Sequence, residues 1–162
     1  MKETEIIRDK MIEYYKGDPQ RIQHFIKVEA FASMIAKKEN VDTHTATIIS
    51  ILGYIHDIGI KIAEKEYGSS DGKLQEKLGK EPSYNLVIEC GFSKEIAQRV
   101  SYVVSHHHTY KNIDGLDYQI LVEADIIVNI YEDNISKDIL PNVIKNIFKT
   151  KSGIHLLQQI YN

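Results

Sequence analysis

A histidine and an aspartate stand side by side at His56-Asp57, where the apolar run Ile48, Ile49, Ile51, Leu52, Ile55 ends. An imidazole and a carboxylate buried without partners are costly, and a divalent metal ion is the simplest compensating charge. Two other positions can complete such a site. His24 shares a helical face with Val28, Phe31 and Ile35, the spacing of a core stripe, on which a lone histidine reads as a satisfied core residue. Asp125 lies on the stripe Leu121, Ala124, Val128, and its mid-helix position makes capping a poor explanation for a buried carboxylate. His56 and Asp57 lie about a hundred degrees apart on a helix, so both reach one ion only where the helix ends or unwinds, which Gly59 allows. Two imidazoles and two carboxylates from three helices suit a divalent ion and leave positions open for water and substrate.

His106-His107-His108 is the second concentration of chemistry. His107 continues the stripe Ile96, Val100, Val103, Val104 and faces inward; His106 lies at the edge of that face, and His108 falls at the start of a loop. Imidazoles near a helix C-terminus also suit the helix dipole. The chemical reading has His106 and His107 holding a second ion or contacting a substrate phosphate. Lys61, one turn beyond Asp57, and Lys73 are the expected phosphate contacts, the alternative being solvated surface charge. Cys90, beside Val87 and Ile88, reads as a small core residue, and His44 and His155 as surface residues.

The elements that must position these groups are helices. Proline is scarce, alternation of the strand type is absent, and apolar residues recur three or four apart, so the chain reads as all-α with seven or eight helices. The first covers about Thr4 to Tyr15 and stops at Gly17. Asp18-Pro19 opens the second, to about Asn40, because Asp accepts from first-turn amides and Pro is tolerated there. Asp42 or Thr43 caps the third, which ends at His56-Asp57, and a short helix passes through Ile62-Ala63-Glu64. Tyr67 to Lys73 is a loop rich in residues that punctuate helices. Helices are expected next over Leu74 to Gly79, Pro82 to Cys90, Lys94 to about His107 and, from an Asp117 cap, Tyr118 to Glu132. Two shorter ones close the chain, about Ile139 to Phe148 and Ile154 to Tyr161. With no repeat or linker, residues 1–162 read as one domain, its core over about 18–132 and its closing helices over 136–161.

The composition, 43% hydrophobic and 27% charged, is that of an ordinary soluble globular protein. A net charge of −3 argues against a nucleic-acid surface or an anionic membrane, though not against a small phosphorylated substrate. No apolar run reaches the length of a spanning helix and the first five residues are too polar for a signal peptide, so a cytoplasmic location is expected. A single cysteine excludes an intrachain disulfide.

With His24, then His56-Asp57, then Asp125 on helices in that order, the chain resembles the HD-domain superfamily of metal-dependent phosphohydrolases from about Asp18 to Glu132. Arg21-Ile22-Gln23-His24 looks like the family's first-histidine helix, His56-Asp57-Ile58-Gly59 matches its HDIG variant, and Ala124-Asp125 before an apolar stretch is also typical. The resemblance implies a compact multi-helix bundle with an interior metal site held by His24, His56, Asp57 and Asp125. His106-His107 followed by Asp114-Gly115 is similar to the paired-histidine segment of two-metal members, including the HD-GYP cyclic-dinucleotide phosphodiesterases. Those members carry another histidine in between, whereas none occurs here from Ile58 through Ser105. Glu81, before Pro82, or Glu76 can substitute as a carboxylate ligand to a second ion. Gly115-Leu116-Asp117-Tyr118 replaces the Gly-Tyr-Pro element, and the lysine that often follows the HDIG glycine is Ile60 here, displaced to Lys61.

The expected function is hydrolysis of a small phosphate ester or anhydride, a nucleotide foremost. The ion is a divalent transition metal (Mn, Fe, Co, Ni or Zn) or Mg, with one ion expected and two as the alternative. Asp57 or Asp125 would orient the water, and His106 or His107 with Lys61 would contact the phosphate. A homodimer is the one protein assembly considered. The other function classes are a di-iron oxygenase and a non-catalytic, metal-containing ligand-binding module.

Overall fold

Helix-starting residues stand where the polypeptide needs them, and in the computed structural model, which describes residues 2–162, they act as caps. Asp18 Oδ1 accepts from Arg21 N at 3.2 Å, Asp42 Oδ1 from Thr45 N at 2.7 Å and Ser93 Oγ from Ile96 N at 3.3 Å. The described residues form nine α-helices, more than the seven or eight expected: α1 Lys2–Tyr14, α2 Pro19–Lys38, α3 Thr43–Ile55, α4 Ile60–Tyr67, α5 Gly72–Glu89, α6 Lys94–Val104, α7 Leu116–Glu132, α8 Leu140–Asn146 and α9 Lys151–Tyr161. A 3-10 turn, Lys137–Ile139, precedes α8, and no strand occurs among the described residues.

The bundle is built around α3 and α7. Every residue of α3 from Ile48 to Ile55 is buried, and α1, α2, α6 and α7 pack around it. In α7 burial is unbroken from Asp117 to Val128. A helix buried on all sides belongs in the middle of a bundle, and these two pack against each other there. Contrary to the expectation that no apolar run is of spanning length, residues 43–67, over α3 and α4, are one stretch among the described residues long and apolar enough to cross a membrane. Seventy-two per cent of its most apolar window is buried in the protein, as in a core helix.

Three expectations about helix limits need correction. The break at Pro82 does not occur: α5 runs through it. Proline lacks an N–H and removes a single helix hydrogen bond, and packing of α5 against α6 and α4 carries the helix across. The sixth helix ends at Val104, not His107, so all three adjacent histidines lie in the turns that follow it. Asp117 is no cap. It lies in the first turn of α7, where it pairs with Arg99 at 2.7 Å, and Arg99 also holds Asp114 at 2.9 Å, fastening the loop before α7 to α6.

Gly59 lies in the turn that follows α3, as expected, and it also meets a close backbone approach. Its φ of −72° is ordinary helical backbone, but a Cβ there would stand 2.4 Å from Gln75 O and 2.7 Å from Gly79 N. The backbone of α5 therefore passes directly against the start of α4. At the other end, the fully buried Glu123 accepts from Lys149 N at 2.9 Å, Thr150 N at 3.1 Å, Gln119 Nε2 at 2.6 Å and Thr150 Oγ1 at 2.5 Å, seating α9 on α7.

Candidate metal centre

His24 comes from the second turn of α2, His56 and Asp57 from the turn after α3, and Asp125 from the middle of α7. Their Nε2 and carboxylate oxygens converge. His24 Nε2 is 3.2 Å from His56 Nε2, 3.5 Å from Asp57 Oδ2 and 3.4 Å from Asp125 Oδ1. His56 Nε2 is 3.4 Å from Asp57 Oδ2 and 3.3 Å from Asp125 Oδ1. Four donors held about 2.0–2.2 Å from one ion in a tetrahedral arrangement stand roughly 3.3–3.6 Å apart, so these separations are those of a set with room for an ion among them.

The hydrogen bonds behind the rings decide what faces inward. His24 Nδ1 lies 2.7 Å from Glu132 Oε1, and His56 Nδ1 lies 3.2 Å from both Leu52 O and Gly53 O. Carboxylate and carbonyl oxygens only accept, so both Nδ1 atoms carry the proton and both Nε2 lone pairs point at the cluster. Two lone pairs 3.2 Å apart beside two carboxylates need a cation between them. Asp125 Oδ1, buried, accepts no hydrogen bond, although two imidazoles lie against it. An atom so placed fits a metal ligand.

Without an ion, protons must take that role. Burial opposes charge on His24, but Asp125 and Asp57 outweigh it and push the ring up to about 11. His56 is raised likewise, burial again being overcome by Asp57 and Asp125. Burial works against ionisation of Asp57 and Asp125 as well, yet the adjacent imidazoles, His56 first, hold both well below the usual carboxylate range.

The second oxygen of Asp57 faces a different group. Its Oδ1 is 2.8 Å from His107 Nε2 and 3.5 Å from His108 Nε2. His107 Nδ1 lies 2.8 Å from Val104 O and its Nε2 hydrogen-bonds Asp57 Oδ1, so both ring nitrogens face acceptors. Asp57, His107 and His108 thus form a second set of converging donors, joined to the first through one carboxylate. Glu76, buried on α5, pins this corner by accepting from His108 N at 3.0 Å and Thr109 Oγ1 at 3.1 Å. Gln75 Oε1 lies 3.1 Å from His108 Nε2. Tyr15 Oη donates to Asp57 O at 3.2 Å and fastens the His56-Asp57 turn to α1.

Not every expected residue joins these sets. His106 turns away, stacked on Tyr102 at 4.3 Å with Nδ1 2.7 Å from Tyr102 O; beyond the end of α6 the chain turns, and His108 comes inward instead. Lys61 donates to Tyr14 O at 2.5 Å and lies 4.5 Å above the Tyr14 ring, because its side of α4 faces α1. Lys73 pairs with Glu76 and Thr109 at the surface. Glu81 is exposed on α5, outside both donor sets. The sequence reading passed over Glu132, Lys27, Gln75 and Arg21 as functional groups. Arg21 lines the mouth of the centre, a cavity of about 280 Å³ shared with His24, Asp57, His108, Asn129 and Glu132. Its guanidinium is held by Glu64 at 2.6 and 3.2 Å. The concavity between α1 and α5, about 440 Å³, is larger but has no such donor set among the described residues.

The HD-domain family model matches residues 21–138, a span that begins just before His24 and passes Asp125 and Glu132. The chain belongs to the HD-domain family. The solved structure of a predicted HD superfamily hydrolase from an uncultured Thermotogales bacterium has a similar fold. The two share 24% identity at a TM-score of 0.68, over 96% of this chain and 83% of that one. No curated protein matches the sequence. Within the HD fold of this chain, the ordered histidines and aspartates of the sequence are the residues that meet in the interior.

Proposed function

We propose that this HD-domain protein is a metal-dependent phosphohydrolase acting on a small phosphate ester or anhydride, a nucleotide foremost. The observation that carries the reading is the interior set His24, His56, Asp57 and Asp125, with inward lone pairs and an Asp125 oxygen lacking any hydrogen bond. A divalent ion held by these four supplies Lewis-acid polarisation of a phosphoryl oxygen and acidifies a water molecule. Asp57 lines the mouth and has an oxygen facing each donor set, which suits it to orient the attacking water. Arg21, preorganised by Glu64 at the same mouth, takes the phosphate-contact role expected of Lys61. His107 and His108 frame a second position beside Asp57, so one ion at the four-residue set is the primary reading and two ions the extended one.

The test is a screen of chelator-stripped protein, reloaded with Mn²⁺ or Zn²⁺, against nucleoside phosphates and an aryl phosphate. Turnover that needs the metal and is lost in Asp57→Ala supports the proposal. No turnover with any ion, or activity surviving Asp57→Ala, overturns it. The bridging place of Asp57 also favours one second reading, a two-iron oxygenase. Iron at two per chain with an optical or paramagnetic signal would select it.

A further inference from the structure

The three inward histidines are not oriented alike. His56 and His107 give their Nδ1 protons to carbonyls of their own helices, Leu52 and Gly53 in one case and Val104 in the other. Those helices end at Ile55 and Val104, so the rings lie over their last turns. His24 lies inside α2, far from its C-terminal end, where the carbonyls are already committed to the helix ladder, and its Nδ1 requires an outside acceptor. That acceptor is Glu132, the last residue of α7, seven positions beyond Asp125 and so on the same face two turns later. The imidazole is held between two carboxylates of one helix, Asp125 3.4 Å from Nε2 and Glu132 2.7 Å from Nδ1.

Glu132 is itself fixed. Its other oxygen lies 2.5 Å from Lys27 Nζ, and Lys27 follows His24 by three residues on α2. The side chains of His24 and Glu132 are 10% and 17% exposed, too buried for an ordinary surface ion pair. A carboxylate behind a ligating imidazole fixes the tautomer, aims the ring and raises its basicity. Unbalanced, it would add a third negative charge beside Asp57 and Asp125, and Lys27 cancels it. We infer that Glu132, anchored by Lys27, is a positioning residue for His24 that sets the affinity of the centre for a divalent ion. The inference rests on the reading that the four-residue set holds such an ion.

The experiment titrates Mn²⁺ into chelator-stripped protein, following free Mn²⁺ by its paramagnetic resonance signal, for the parent, Glu132→Ala, Glu132→Gln and Glu132→Asp. Melting temperatures of the stripped proteins show that each variant folds. Glu132→Ala is expected to weaken Mn²⁺ binding about 10–100-fold. Glu132→Gln retains an oxygen at the same reach and recovers most of the affinity; Glu132→Asp keeps the charge, draws the oxygen back by one methylene and resembles Glu132→Ala. Equal affinity in all four proteins overturns the inference, as does the reverse order, with Asp restoring and Gln failing, which would make charge alone the cause. If the parent takes up no ion, the metal reading falls and the inference with it; if the parent binds and Glu132→Ala binds equally, only the inference falls.

Discussion

Stripped of its ion, the protein is expected to lose stability as pH rises, because protons on the histidines are then all that offsets Asp57 and Asp125. Burial opposes charge on His24, yet Asp125 and Asp57 push it up to about 11, and His56 is raised for the same reasons. A ring whose pKa is raised by folding contributes stability that is fully present below its unfolded value, about 6.5, and lost as pH climbs toward the folded value. The two Nε2 atoms are 3.2 Å apart, so the reckoning takes one retained proton. Between about pH 6.5 and about pH 9 the folded ring keeps this proton while the unfolded one does not, and the rising cost of holding it removes about 3 kcal/mol of stability. For a chain of this length that lowers the melting temperature by roughly 6–12 °C. Asp57 and Asp125 are depressed, so their contribution fades only in acid, outside this window. Thermal melts by circular dichroism in chelator, stepped across the interval, measure the slope. Saturating Mn²⁺ is expected to flatten it, since the ion replaces the proton and binds better as pH rises. Asp125→Asn, which removes one of the two charges that retain the proton, is expected to flatten the slope of the stripped protein as well. A melting temperature that stays level or rises with pH in chelator would refute the reasoning, and so would an undiminished slope in Asp125→Asn.

Gly59→Ala would set a methyl group 2.4 Å from Gln75 O and 2.7 Å from Gly79 N, both backbone atoms that cannot step aside singly. A loss of about 2–3 kcal/mol in urea denaturation is expected as α4 and α5 part. Glu123→Ala leaves the amides of Lys149 and Thr150 without their acceptor and is expected to cost about 2–5 kcal/mol by the same measurement, with Glu123→Gln losing less. In steady-state kinetics on a phosphate ester that the protein turns over, Arg21→Ala is expected to raise KM about tenfold and Lys61→Ala to leave it within about twofold, because only the arginine lines the mouth.

The interior of the site was legible in the sequence because it sits on regular helices. His24 and Asp125 lie on periodic apolar stripes, and a helix fixes which side chains share a face before any packing is known. The same rule carried three residues past Val104 finds His107, which does face inward, but it sets His106 at the edge of that face and leaves His108 to a loop; in the turns the period no longer holds, and His108 comes inward where His106 does not. Lys61 was chosen for nearness to Asp57 in sequence, while Arg21, one turn before His24 on another helix, reaches the mouth. Glu132 had a usable signal, its seven-residue spacing from Asp125, but its meaning depends on α2 lying alongside α7. Pro82 misled because propensity is local and the packing that carries α5 across it is not.

The turn at His56-Asp57 also divides the chain's long-range connections. Through Asp57 it meets His107, fifty residues later, and His24 meets Glu132 across 108 residues. An ion joining α2 to α7 is therefore a removable cross-link around a loop of about a hundred residues, whose closure in the unfolded chain is worth roughly 4–5 kcal/mol in the chain-entropy account. The helices α3 to α6 hang within that loop. Losing the ion would remove a tie among three distant segments and leave the packing of α2 on α3 and α7, with the Glu132 contacts to His24 and Lys27, to keep them assembled.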